Sequence, residues 1–582
     1  MKKLLRILCL LLGLTLLPLP VFCENSAPTI RVLLRRLDLT DRADLILDGV
    51  YTASTDGEAI MAFPKGSHVT VQIRDDQLYL FYEGMSLKIG NKLRFIRNAS
   101  AKQAEEGIRF TEGGNFYPGD LSLSITNGIL QPILTLSVED YLLGVVPYEM
   151  SNLFPLEALK AQAVCARTYA LAHVDASAAY DVVDTTNDQV FKGVDLTDLN
   201  AIQAVKDTAG VVGTYKGKLA TCYYSASNGG QTELVEHVWG GSGDYGYYAM
   251  TDDPYDLENP ESIVLRTKIA KSGGVSEAFN AVLADALSKQ MAAEGFGLGS
   301  DCLRIDSVTA MSLGGQTYND PSRFVTELTL TVAWSGRKAV TAPLATTQDT
   351  EISLFTSTPA DVNLSPTATL PSEPTATPMV TYTPFTPAAE AATVTLALFP
   401  DVIRALDLSI YGANNEMVTL TETDTHFVLE ARRYGHGVGM SQRGAQWMAL
   451  RYGKKFHEIL AFYYPGMELQ RVQAGDPVLP TAQPQLADSP APPATPTPRP
   501  TLMPVTAVDL PDGAYMASVE DIADNSSLNL REEPNTASTI LMRLYKHQPL
   551  LVLETCEDPA WVKVKTDVIE GYVMFSFLAP ME

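Results

Sequence analysis

V-E-D-Y-L-L-G-V-V-P-Y-E-M-S-N-L-F-P-L-E-A-L-K-A-Q-A-V-C-A-R-T-Y-A-L runs from Val138 to Leu171. It reads as a turn-like break between a strand and a helix, with one acid, Glu149, held in the break. Pro155 suits a first helical position, where its missing N–H would have no partner anyway. From there the chain is Ala-rich and Gly-free to His173, a strong helix former. Leu156, Leu159, Ala163, Ala166 and Ala170 recur at three- and four-residue steps, so one face is buried and its small residues allow close packing. A second helix is expected over Asp198–Ala209, with strands around Ala220–Ser225. Upstream, residues 28–135 read as all-β: Val69, Val71 and Ile73 alternate with polar neighbours, as do Leu121, Leu123 and Ile125, between Gly/Asn/Asp turns. The expected fold class is therefore α+β, with a β-rich N-terminal part and a mixed core of a few helices.

At 582 residues the chain exceeds a single core. A net charge of −25 excludes a general nucleic-acid binder, whose phosphate partner requires a basic face. Residues 1–24 read as a secretory signal: Lys2, Lys3 and Arg6, then a mostly apolar run from Ile7 to Phe22 broken by Pro18 and Pro20. An uncleaved anchor is the alternative, since the run approaches the ~18 residues needed to span a membrane. Cys23 invites lipidation, but Phe22 is bulky where such sites take a small residue. Either way the protein is expected to act outside the cytoplasmic membrane. Cys9 and Cys23 fall in or beside the signal. Cys165, Cys222, Cys302 and Cys556 are widely spaced with no C-x-x-C pair, which predicts buried thiols rather than a disulfide framework or a zinc site.

Two stretches interrupt the globular sequence. Residues 356–387 hold seven Pro and nine Thr with no Gly, and residues 477–504 hold ten Pro. Such composition makes extended, semi-rigid spacers. The expected organisation is a signal (1–24), a β-rich part (28–135), a core (136–355), an inserted linker (356–390), the core's C-terminal part (391–471), a second linker (472–507) and a small β unit (508–582). In that last unit L-N-L-R-E-E-P-N (Leu528–Asn535), Trp561 and Gly571-Tyr572-Val573 resemble the bacterial SH3-like domain, which implies a small barrel that binds wall peptide or glycan.

Three separated blocks carry the chemistry. The first is the opening stretch through Arg167 and Thr168. The second is D-Q-V-F-K-G (Asp188–Gly193), followed by Y-Y-S-A-S-N-G-G-Q-T-E (Tyr223–Glu233) and Trp239. The third is Y-G-H-G-V-G-M-S-Q-R-G-A (Tyr434–Ala445), followed by Y-Y-P-G (Tyr463–Gly466). In this order they resemble the stage II sporulation protein D family, the SpoIID/LytB domain, over about residues 30–471. The resemblance implies a peptidoglycan lytic transglycosylase acting on peptide-stripped glycan strands, with a wall amidase as a partner. Other members of the family are named amidase enhancers, so a non-catalytic enhancer is the alternative. No cofactor and no metal are expected; some relatives bind zinc through Cys and His, but Cys222 and His237 do not match that site.

The resemblance maps the catalytic glutamate onto Glu149. A lone acid must be protonated near neutral pH, so its site must be partly apolar, and Val145, Val146, Pro147 and Met150 supply that. Glu157 competes, but it sits in a first helical turn, where the dipole explains a negative charge. Arg167 matches a family arginine; beside Glu149 it would lower the acid's pKa, so substrate binding is expected, with a buried ion pair as the alternative. His436, Tyr255, Gln162, Ser441 and Gln442 complete the expected substrate contacts. Gln162 also serves as a hydrogen-bond partner beside Thr168, and Ser441 equally as a helix cap. The family's lysine near Tyr255 is not evident here. Tyr223, Tyr224, Trp239, Tyr463 and Tyr464 are candidates for stacking on sugar rings or for core packing.

Overall fold

The structure is a computed structural model that describes residues 28–98, 106–110, 114–240, 243–291, 294, 296–297, 299–341 and 380–472, and most of 515–580. The signal segment with Cys9 and Cys23, the Thr/Pro stretch up to residue 379 and the second linker from residue 473 lie outside these residues. By contact the chain divides into two units: residues up to Ile263 with those from Arg432, and Val264–Ala431. Both helices and many strands are present, as an α+β chain requires.

The β-rich part of the first unit holds two sheets. One is ordered 182–183, 29–33, 129–137, 120–126, 92–97, 51–55, 58–63; the other 85–90, 77–82, 67–74, 42–48, 107–109. The alternation legible in sequence is the alternation found: Val69, Val71, Leu121 and Leu123 are buried, as are Leu45, Phe95 and Leu134, in one shared core. Thr29–Leu33 pairs antiparallel with Ile129–Ser137 and parallel with Val182–Val183, tying the start of the chain to the segment that precedes the second motif.

Helices follow: α1 (Val138–Leu143), α2 (Val146–Glu149), α3 (Leu156–Ala172), α4 (Leu199–Asp207), α5 (Val235–Trp239) and α6 (Pro254–Glu258). Helix α3 begins and ends within a residue of the expected limits, with Pro155 standing as the residue that caps it. Ala158, Ala161, Ala163, Ala166 and Ala170 are buried along it, and the missing side-chain bulk lets the neighbouring elements approach. The chain then forms the second unit, where α7 (Glu277–Met291) covers a sheet of strands 303–316, 325–336 and 392–397 over a core of Phe279, Leu283, Leu330 and Val394. Residues 380–382 and 386–387, inside the stretch read as linker, pair as strands with 339–341 and 335–336. Helices α8 (Gln442–Tyr452) and α9 (Phe456–Tyr463) belong to the first unit again.

The small β unit has strands ordered 540–545, 527–531, 570–574, 561–565, 549–555, 515–519, 578–580. Leu530, Val552, Val562, Val564 and Val573 form its core, and Trp561 is buried beside them. Among the described residues no helix is long and apolar enough to cross a membrane.

Candidate active site

Glu149 ends a single helical turn rather than a loose break between strand and helix. Ser137 caps α1 by accepting the Asp140 N–H at 3.0 Å. Helix α1 stops at Gly144, where a Cβ would lie 2.5 Å from the Phe191 ring, so the D-Q-V-F-K-G segment can press against the turn. Helix α2 closes with the Met150 N–H on Val146 O, and Met150 is already extended. Asn152 then fixes the exit: its Oδ1 accepts the Ala201 N–H and its carbonyl accepts Asn200 Nδ2, both from α4.

This geometry turns the Glu149 side chain inward. It is 5% exposed, among fully buried Val145, Val146 and Met150. Its Oε1 accepts the Val190 N–H at 2.9 Å. Burial pushes the carboxyl up from 4.5 to about 7, against the opposing pull of the Val190 N–H. Desolvation disfavours the carboxylate more than one backbone donor can repay.

Beside it lies an open groove of about 420 Å³, lined by Tyr169, Asp188, Gln189, Tyr223, Trp239 and His436 among others. The second and third motifs build it by pairing in parallel, Tyr224 with Met440 and Ser225 with Ser441. Gly439 permits this approach: it has φ +70°, and a Cβ there would lie 2.1 Å from Tyr223 O. Tyr223 and Trp239 stand 4.7 Å apart between ring centroids, and Trp239 and His436 4.9 Å, giving an aromatic wall. His436 Nδ1 accepts the Val438 N–H at 3.0 Å. Desolvation, with a smaller push from Arg433, holds its pKa down to about 4 against an opposing hydrogen bond with the Tyr224 backbone, so the ring is neutral and carries its proton on Nε2. Asp188 accepts from Tyr169 Oη and from the Val183 N–H.

The other expected contacts are placed differently. Arg167 is 1% exposed and grips Glu139 of α1 with two bonds, Nε–Oε1 at 2.8 Å and Nη2–Oε2 at 2.7 Å, while its Nη1 donates to Val211 O at 3.1 Å. A guanidinium held this way ties α3 to α1, with its donors directed at protein acceptors. Gln162 is fully buried and accepts from Gln442 Nε2 at 3.4 Å, so both amides lie in the interior. Ser441 is buried as the cap of α8, accepting the Gly444 N–H at 3.0 Å. Tyr255 does not line the groove; it packs edge-on against Tyr452 and Phe462. Tyr463 and Tyr464 are also interior, with Tyr464 Oη donating to Tyr223 O at 2.6 Å. Of the residues expected in the site, the structure brings Glu149 and His436 to this region, together with Tyr223, Tyr224 and Trp239. Glu157 is an ion-pair partner of Lys160 and accepts the Phe456 N–H. Cys165, Cys222, Cys302 and Cys556 are free, the first three buried, and no group of three or more His, Cys, Asp or Glu among the described residues is placed to hold a metal ion.

Sequence reasoning missed the groups that hold the motifs together. Asp256, one residue past Tyr255, is buried and accepts from Ser227 Oγ, Ser262 Oγ and the N–H groups of Asn228 and Gly229. Asp253 accepts from Asn228 Nδ2 and Tyr463 Oη; burial and neighbouring Asp256 push it up to about 7. Arg433 joins Glu233 at 3.3 Å and donates to Asn228 O. The spacing of these acids signals nothing in the sequence; the pairing of the 227–233 and 433–441 segments shows what they hold.

A dry carboxyl thus lies beside an aromatic groove, with segments of the three motifs paired around it. Residues 126–215 match the family model described as stage II sporulation protein, and residues 526–578 match that of the bacterial SH3 domain. The chain carries a SpoIID domain and, C-terminal to it, a bacterial SH3 domain. It is 35% identical over 177 residues to an uncharacterized protein of Brachyspira hyodysenteriae (30% of this chain, 47% of that protein). It is 29% identical over 345 residues to the amidase enhancer of Bacillus subtilis (56% and 40%). It is 34% identical over 148 residues to stage II sporulation protein D of Bacillus amyloliquefaciens (22% and 42%). The matches span less than half the length of each of these relatives.

Proposed function

We propose that the protein is an extracytoplasmic cell-wall enzyme that cleaves peptidoglycan glycan strands by lytic transglycosylation, with Glu149 as its single acid and base. The observation that carries this is the dry carboxyl, protonated near neutral pH beside a groove walled with aromatic rings. Glu149 gives its proton to the glycosidic oxygen as the C1–O bond breaks. The primary hydroxyl of the same sugar then attacks C1, and its proton returns to the Glu149 carboxylate. No water is consumed and the acid is regenerated, so the paired carboxylates of ordinary glycosidases are not required. His436, neutral with an Nε2–H, and Trp239 are assigned to holding sugar. The SH3 domain is assigned to retention on the wall.

The test is incubation with peptide-free glycan strands, read by mass spectrometry. Anhydromuramic ends that disappear in Glu149→Gln support the reading; their absence with the native protein across several glycan preparations removes it. A second reading, a non-catalytic wall protein that stimulates an amidase, is favoured by the 345-residue match to a protein named amidase enhancer. Faster amidase turnover without anhydromuramic products selects it.

A further inference from the structure

Glu149 is close to the groove but is not on its wall. Gln189 and Tyr224 line the groove, whereas Glu149 contacts the backbone of Val190, the next residue after Gln189. Gln189 Nε2 donates to Tyr224 Oη at 3.0 Å, and both residues line the groove that Glu149 does not reach. This pairing is imperfectly satisfied. Gln189 Oε1 is buried with no hydrogen-bond partner, and so is Gln162 Nε2 on the α3 face behind it. The second bond of Gln189 Nε2, to Ala166 O, is long at 3.4 Å. Buried orphan polar atoms are costly, by about 1–3 kcal/mol each, so a side chain that holds one in the closed position gives up little by leaving it.

We infer that Gln189, latched to Tyr224, is a movable wall over Glu149 that an arriving glycan displaces to expose the acid. The purpose of the wall rests on the reading of Glu149 as the catalytic acid; its existence does not. When the amide swings toward the groove, Oε1 and Nε2 can pair with sugar hydroxyls or the acetamido group, and Glu149 faces the glycosidic oxygen. Gln189 is thus a positioning residue that keeps the acid dry until substrate arrives. Tyr141 from α1 and Tyr224 from the groove side both bear on Glu149, and burial holds both phenols neutral.

Carbodiimide labelling of carboxyls in the full chain, followed site by site with mass spectrometry, tests this without reference to catalysis. Glu149 in the native protein should label far more slowly than exposed Glu58, allowing for its pKa. Gln189→Ala should speed Glu149 labelling at least about tenfold, and Tyr224→Phe, which frees the latch, should speed it less. Gln189→Met, similar in size but unable to bond Tyr224, should speed it by the same small amount as Tyr224→Phe and controls for lost packing. Native-like labelling in Gln189→Ala, or a native Glu149 that labels as fast as Glu58, overturns the wall. Equal acceleration at Asp253 and Asp256 in Gln189→Ala marks general unfolding rather than a local opening and also counts against it. Failure to make anhydromuramic ends leaves the labelling result intact, so the wall and the activity fail separately.

Discussion

Replacing Glu149 by Gln should stabilise the protein, and only at alkaline pH. The fold favours the protonated carboxyl, since ionisation near 4.5 in solvent becomes ionisation near 7 in the buried site. Stability from this group is therefore fully present below 4.5 and is lost as pH rises through about 7. At 1.36 kcal/mol per pH unit, the gap between these values costs the native protein about 3 kcal/mol once both states are ionised. Gln never ionises, and its amide oxygen still accepts the Val190 N–H, so the variant escapes that loss. For a core of this size, about 2–4 °C of melting temperature accompanies each kcal/mol. Calorimetry should then place Glu149→Gln roughly 6–12 °C above the native protein at pH 8.5 and level with it at pH 4.5. All other titrating groups are common to both proteins and cancel in the difference. A gap of equal size at both values, or one that grows toward acid, would falsify the assignment of Glu149 as a carboxyl kept neutral by burial.

Glu139→Gln leaves the buried Arg167 guanidinium uncompensated and should cost about 3–5 kcal/mol in urea unfolding; binding of tri-N-acetylchitotriose by the folded fraction should be unchanged, and a selective loss of binding would favour the substrate role for Arg167. His436 should show a single Nε2–H tautomer by nitrogen NMR and no titration between pH 8 and 5.5, because burial holds its pKa near 4. Asp256→Asn replaces an acceptor of four donors by a group with one acceptor oxygen, and should destabilise by roughly 2–4 kcal/mol in urea unfolding; a neutral outcome would mean that the carboxylate does not hold the 227–229 turn.

What was legible in the sequence was what depends on neighbours along the chain. Strand alternation at Leu121 and Leu123 and the three-four spacing of α3 report burial directly, because one face of each element meets a core. The apolar setting of Glu149 was legible for the same reason: Val145, Val146 and Met150 are its own flanks. Arg167 was not, since its two readings share one buried position and the partner it grips, Glu139, lies 28 residues upstream on α1. Tyr255 and Asp256 show the limit at its sharpest. A short helix directs adjacent residues to different surroundings, so the acid enters the interior network while the tyrosine packs against Tyr452 and Phe462. The boundaries at 263/264 and 431/432 follow from contacts between distant segments, whereas composition points to the Pro-rich linkers.

The acid itself sets a physical conflict that the fold has to resolve. A carboxyl is protonated near neutral pH only if water is kept from it, yet it protonates a sugar oxygen only if the sugar reaches it. A permanently open cleft would hydrate Glu149 and return it toward 4.5, ionised and useless as an acid; a permanently closed one would keep it ready but out of reach. A wall made by one flexible amide meets both demands, because the ligand that removes the wall also replaces it as the barrier to water. The site residue that matters most after Glu149 is then Gln189, 40 residues downstream, whose neighbour Val190 bonds the acid through its backbone N–H.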